Sequence, residues 1–133
     1  MPGQIVDNLR TGVTDALKPL LPEAWQIIPF SKNLDTITRP VVMLQLEEVQ
    51  RHKDAPNGAR LVTYTLTVIE PKTDPGPADD SLEANLIDLL NAIDKSPGLA
   101  WSGAKRVVAH ESNPAFDITL TYSVANAPLT EGA

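Results

Sequence analysis

The sequence predicts an α+β two-layer sandwich, with two helices on one face of a mainly antiparallel or mixed sheet, in the order α-β-β-β-α-β-β. Three observations predict it. Residues 61–70 and 116–124 alternate apolar with hydroxyl-bearing side chains, the period-two pattern of strands covered on one face. Residues 4–18 and 81–95 repeat apolar side chains every three to four positions, the pattern of amphipathic helices. A chain of 133 residues, 42% hydrophobic and 21% charged, fits one domain with its own core. The single domain covers 1–133, with an ordered core over 4–124 and a flexible tail over 125–133.

The first helix, 4–18, places Ile5, Val6, Leu9, Val13, Ala16 and Leu17 on one face. Pro19 and Pro22 end it, because proline lacks an amide proton and crowds the preceding turn. Residues 24–29 read as a short strand, and polar 31–39 as a loop. The strand at 41–50 is apolar on both sides at its start and charged at Glu47 and Glu48. Pro56-Asn57-Gly58 supplies turn chemistry for a hairpin into the strand at 61–70. There Val62, Tyr64, Leu66 and Val68 face one way, and Thr63, Thr65 and Thr67 the other.

Residues 70–80 read as a proline-rich acidic loop. The second helix follows over 81–95, started by Asp80 and Glu83 as a capping box and stopped by Ser96-Pro97-Gly98. Leu82, Leu86, Leu89, Leu90 and Ile93 form its apolar face. LAWSGA then reads as a gap before a strand at 104–111, and Asn113-Pro114 as a break. In the last strand Phe116, Ile118, Leu120, Tyr122 and Val124 alternate with Asp117, Thr119, Thr121 and Ser123.

Composition narrows the function. The absence of cysteine excludes disulfide scaffolds, thiol nucleophiles, zinc ribbons and iron–sulfur sites. The net charge of −6 opposes a phosphate-gripping nucleic-acid binder and an anionic membrane surface. No apolar run reaches membrane-spanning length, and the start lacks the pattern of a signal peptide, so cytoplasmic synthesis and folding are expected.

Catalytic and metal constellations are not expected. His52 lies in a charged turn segment, and His110 beside Glu111 at a strand end. There is no nucleophile elbow, P-loop, zincin motif or dinucleotide fingerprint. Glu47 and Glu48 are adjacent in a strand, so strict alternation sends them to opposite faces. Asp74, Asp79 and Asp80 hold hard-cation ligand types but match no EF-hand spacing. Trp101 is the aromatic most suited to a partner contact, and Asp74, Pro75 and Asn57 join it as loop contacts.

The hydroxyl face is the most informative surface. Thr63, Thr65, Thr67, Asp117, Thr119, Thr121 and Ser123 cover one side of the sheet, polar but nearly uncharged. Such residues suit any exposed strand. They also suit a smooth wall past which a polyanion moves without being held.

Three stretches carry a resemblance: IVDNLRTGVTDALKPLLP, the pair VVMLQLEEVQ and LVTYTLTVIE around an Asn-Gly turn, and SLEANLIDLLNAID leading to FDITLTYSV. In this order, over roughly residues 4–124 of a short acidic chain, they resemble the tail-terminator (tail-completion) proteins of long-tailed bacteriophages. The resemblance implies a structural virion protein of the tail, assembled in the host cytoplasm, without cofactor, metal or catalysis. It implies self-association into a hexameric ring that caps the tail tube protein, ends tube polymerisation and meets the head or neck connector. DNA would pass without specific binding, and no membrane is involved. Loops 31–39, 51–60 and 70–80 would make the axial contacts. The alternatives are a head-closure, neck or other minor tail protein, and a small cytoplasmic ligand-binding module with an apolar pocket.

Overall fold

A computed structural model describes residues 9–28, 37–51, 60–109 and 112–124. The expected helical start at 4–8, Pro56-Asn57-Gly58, His52, the His110–Glu111 pair, most of the 31–39 loop and the tail at 125–133 lie outside the described residues.

The element order is the expected one: α1 (Leu9–Leu17), β1 (Gln26–Ile28), β2 (Val41–Arg51), β3 (Arg60–Ile69), α2 (Pro75–Asp94), β4 (Leu99–Ala109) and β5 (Asn113–Val124). A single 3-10 turn, Lys18–Leu20, follows α1, with Pro19 early in it. The strands form one sheet in the order β1-β2-β3-β5-β4. β1 runs parallel to β2 over three residue pairs, and every other pairing is antiparallel, so the sheet is mixed.

Both helices pack on the same face. Val13 and Leu17 of α1, and Leu82, Leu89, Ala92 and Ile93 of α2, join Val42, Leu44, Val62, Tyr64, Leu66, Val68, Ile118 and Leu120 in one buried cluster. Trp25 is buried in the same cluster. The alternation of β3 and β5 thus defines the inner face, and the 3–4 periodicity of the helices supplies its cover.

Three boundaries differ from expectation, each for a local reason. α2 begins at Pro75, not at residue 81. Pro75 and Pro77 fall in the first turn, where the main-chain amides have no helical acceptor and proline costs nothing. The ladder opens with Ala78 N donating to Asp74 O at 2.8 Å. Asp74 is the N-cap and makes no side-chain cap, so the Asp80–Glu83 capping box does not form. The LAWSGA stretch is strand, not gap, because Leu99 to Gly103 pair with β5. β5 also runs through the expected break at Asn113-Pro114. Pro114 sits one residue inside the strand, and its carbonyl accepts from Glu70 N at 2.9 Å, so its missing amide proton breaks little of the ladder.

Candidate functional site

The candidate site is the sheet face turned away from the helices. Register places its residues in rows across three strands. Thr67 lies opposite Asp117, Thr65 opposite Thr119, Thr63 opposite Thr121 and Leu61 opposite Ser123. The seven expected face residues are therefore on one surface. Thr67 Oγ1 donates to Asp117 Oδ1 at 2.6 Å, and Thr121 Oγ1 donates to Ala100 O at 3.3 Å.

The face differs from expectation in two ways. One end is not polar. Ile28, Ile37, Val41, Ile69 and Ala115 form a second buried cluster there, with Met43, Val107 and Ala109 against it. Val41, Ile69 and Ala115 form the next row on the threonine side of the sheet, so the apolar start of β2 and end of β3 meet there.

The other end is charged. β2 carries a bulge between Leu46 and Glu48, opposite Tyr64 and Thr63. A bulge sets two residues against one and breaks strict alternation. Glu48 thereby shares a row with Thr63, while Thr65 Oγ1 donates to Glu47 Oε2 at 2.8 Å. The two carboxylates meet on the open face and do not diverge. Gln50 Nε2 adds a contact to Glu48 Oε2 at 3.3 Å. Lys105 also lies on the face, in register with Asp117. The bulge had a signal in the sequence: apolar residues at 44 and 46 resume at 49, one position late. In β4 the same slip puts a second bulge between Trp101 and Gly103.

The remaining expected residues do not gather into one site. Trp101 lies on edge strand β4, on the helix side of the sheet, where its Nε1 donates to Asp94 Oδ1 at 3.0 Å. Asp74 and Pro75 are exposed at the start of α2. Asp79, expected in a loop with Asp80, is helical and pairs with Arg106 at 2.7 Å. Among the described residues no group of three or more His, Cys, Asp or Glu could hold a metal ion, and no helix is long and apolar enough to cross a membrane.

Two further features were not anticipated. Glu70 is fully buried just past β3. Its Oε1 accepts from Asn85 Nδ2 at 2.9 Å and its Oε2 from Lys72 N at 3.0 Å. The second is an open cleft of about 820 Å³ between α1 and β1, floored by Leu21, Trp25 and Ile27 and flanked by Lys18 and Arg39.

No protein-family model and no curated protein matches the chain.

Proposed function

We propose that the chain is a structural, non-catalytic subunit of a long-tailed phage virion. It forms a ring that caps the tail tube, ends tube polymerisation and offers the surface that meets the head connector. The observation that carries this reading is the open sheet face. Threonines and serine line it, Glu47, Glu48 and Asp117 make it net acidic, and both helices lie on the opposite side. In a ring with its helices outward, that face borders the channel. Hydroxyls and carboxylates outnumber Lys105 on this face, and Asp117 lies in register with it, so phosphates find little cationic grip and DNA slides past. The helix-backed sheet supplies the stiffness such a collar needs.

Light scattering or native mass spectrometry over a concentration series, with and without purified tail tubes, tests the reading. A closed oligomer near six copies, or a monomer converted to a ring by tubes, supports it. A monomer indifferent to tubes overturns it. Binding to head connectors but not to tubes reassigns the chain to head closure.

The cleft over Leu21, Trp25 and Ile27 favours the ligand-binding alternative, because it joins an apolar floor to flanking charges. A metabolite panel read by thermal shift tests it, with Trp25 fluorescence as the second readout.

A further inference from the structure

The cleft between α1 and β1 holds an unused donor in its floor. Trp25 is only 9% exposed and belongs to the main core. Its main-chain amide donates to Pro22 O at 3.0 Å, yet its indole Nε1 has no acceptor among the described residues. The other tryptophan does not leave that donor open, since Trp101 Nε1 donates to Asp94 Oδ1. A covered indole N–H ordinarily has a partner at hand. Nε1 of Trp25 is not sealed inside the core, so it opens on the cleft that Trp25 lines.

The rim above that floor carries both signs of charge. Lys18 and Arg39 are exposed cations, and Asp15 and Glu23 are exposed carboxylates. None of the four makes an ion pair among the described residues. A ligand of one sign meets repulsion from half of the rim, whereas a ligand with both signs is matched by all of it. The indole N–H decides which end goes deepest. It calls for an acceptor, and a carboxylate is the strongest acceptor a small molecule offers. Leu21 and Ile27 beside it take apolar surface, and about 820 Å³ is room for a small organic molecule.

We propose that this cleft binds a small zwitterion with an apolar body, of the class of the aliphatic α-amino acids and their dipeptides. The proposal rests on the ligand-binding reading of the cleft given above and is independent of the ring reading. The ligand carboxylate accepts from Trp25 Nε1, with Lys18 and Arg39 as its counter-charges. The ammonium group faces Asp15 and Glu23, and the alkyl chain covers Leu21 and Ile27.

Calorimetric titration of the full chain with L-leucine and with leucyl-leucine tests the site. Binding is expected, together with a shift in Trp25 emission in a Trp101→Phe chain, where Trp25 is the one tryptophan left. Whichever of the two binds more tightly supports the class and names its source. Two truncated probes test the need for both charges: 4-methylpentanoate lacks the ammonium group and isopentylamine lacks the carboxylate. Each is expected to bind more weakly than leucine, on the order of tenfold or more. Lys18→Glu with Arg39→Glu, both at exposed positions, is expected to weaken leucine binding by a similar factor. Trp25→Phe keeps a ring in the floor, removes the N–H and is expected to weaken it as well. Circular dichroism checks each fold, and the rim variant decides the matter should Trp25→Phe misfold. Leucine binding that survives the rim variant overturns the site. A truncated probe that binds as tightly as leucine overturns the zwitterion and leaves the ligand-binding reading standing. So does a chain that ignores leucine and leucyl-leucine but takes another member of the metabolite panel. A chain that takes nothing from the panel overturns both.

Discussion

Asn113 Nδ2 donates to the main-chain oxygen of Glu70 at 2.8 Å and to that of Pro71 at 3.2 Å, joining the start of β5 to the end of β3. The Glu70 carboxylate holds Asn85 of α2 and the amide of Lys72 from the same spot. One buried knot thus fixes the exit of β3, the entry of β5 and the middle of α2. A carboxylate so deep is stable only with its acceptor sites filled, and here Asn85 Nδ2 and an amide fill them.

Breaking the knot is expected to be costly. Glu70→Ala strands the Asn85 and Lys72 donors, and a loss of about 1–3 kcal/mol is expected. Asn113→Asp is expected to do at least as much harm, because an acceptor replaces a donor that faces two carbonyl oxygens. Urea unfolding measures both. A midpoint unchanged in either variant would remove the knot from the account of the fold.

Gly98 carries φ +84°, and a Cβ there would sit 3.4 Å from Tyr122 Cε1. Gly98→Ala is expected to cost roughly 1 kcal/mol or more, from backbone strain in a region that L side chains rarely adopt. Gly76 is the contrast. It is helical, with nothing within 4 Å of its added Cβ, so Gly76→Ala is expected to stabilise by up to about 1 kcal/mol. Thermal melts of the two variants should move in opposite directions.

Much of this was legible in the sequence, and the misses have a common cause. Element order and the inner faces of β3, β5 and α2 follow from period alone, as Tyr64, Leu66, Leu89 and Ile118 show. Proline misled twice. Pro75 and Pro77 read as loop, although a first helical turn tolerates them, and Pro114 reads as a break, although it sits one residue inside β5. Parity misled at Glu47 and Glu48, where one extra residue reversed the face of everything after it. The Glu70 knot had no local signal in side chains, because Asn85 and Asn113 reach it from 15 and 43 positions away. The hydroxyl rows were legible as a list, and the start of β2, apolar on both sides, marked a covered end; that Ile69 and Ala115 join Val41 there follows only from register.

Leu89 and Ile87 lie two positions apart on α2, and the structure treats them oppositely. Leu89 is fully buried in the main core, whereas Ile87 is 51% exposed. Leu89→Ala is expected to cost about 2–5 kcal/mol, by lost transfer energy and a residual cavity. Ile87→Ala is expected to stay within about 0.5 kcal/mol, since alanine's helix propensity offsets the little area lost. Equal effects from the two, read by denaturant unfolding, would contradict the orientation of α2.

The Arg106–Asp79 pair bridges β4 and α2 at 2.7 Å, yet both side chains are half exposed. Solvent screens it, and holding two long side chains in one geometry costs entropy. Asp79→Asn is therefore expected to change stability by less than about 0.5 kcal/mol, and still less at high salt.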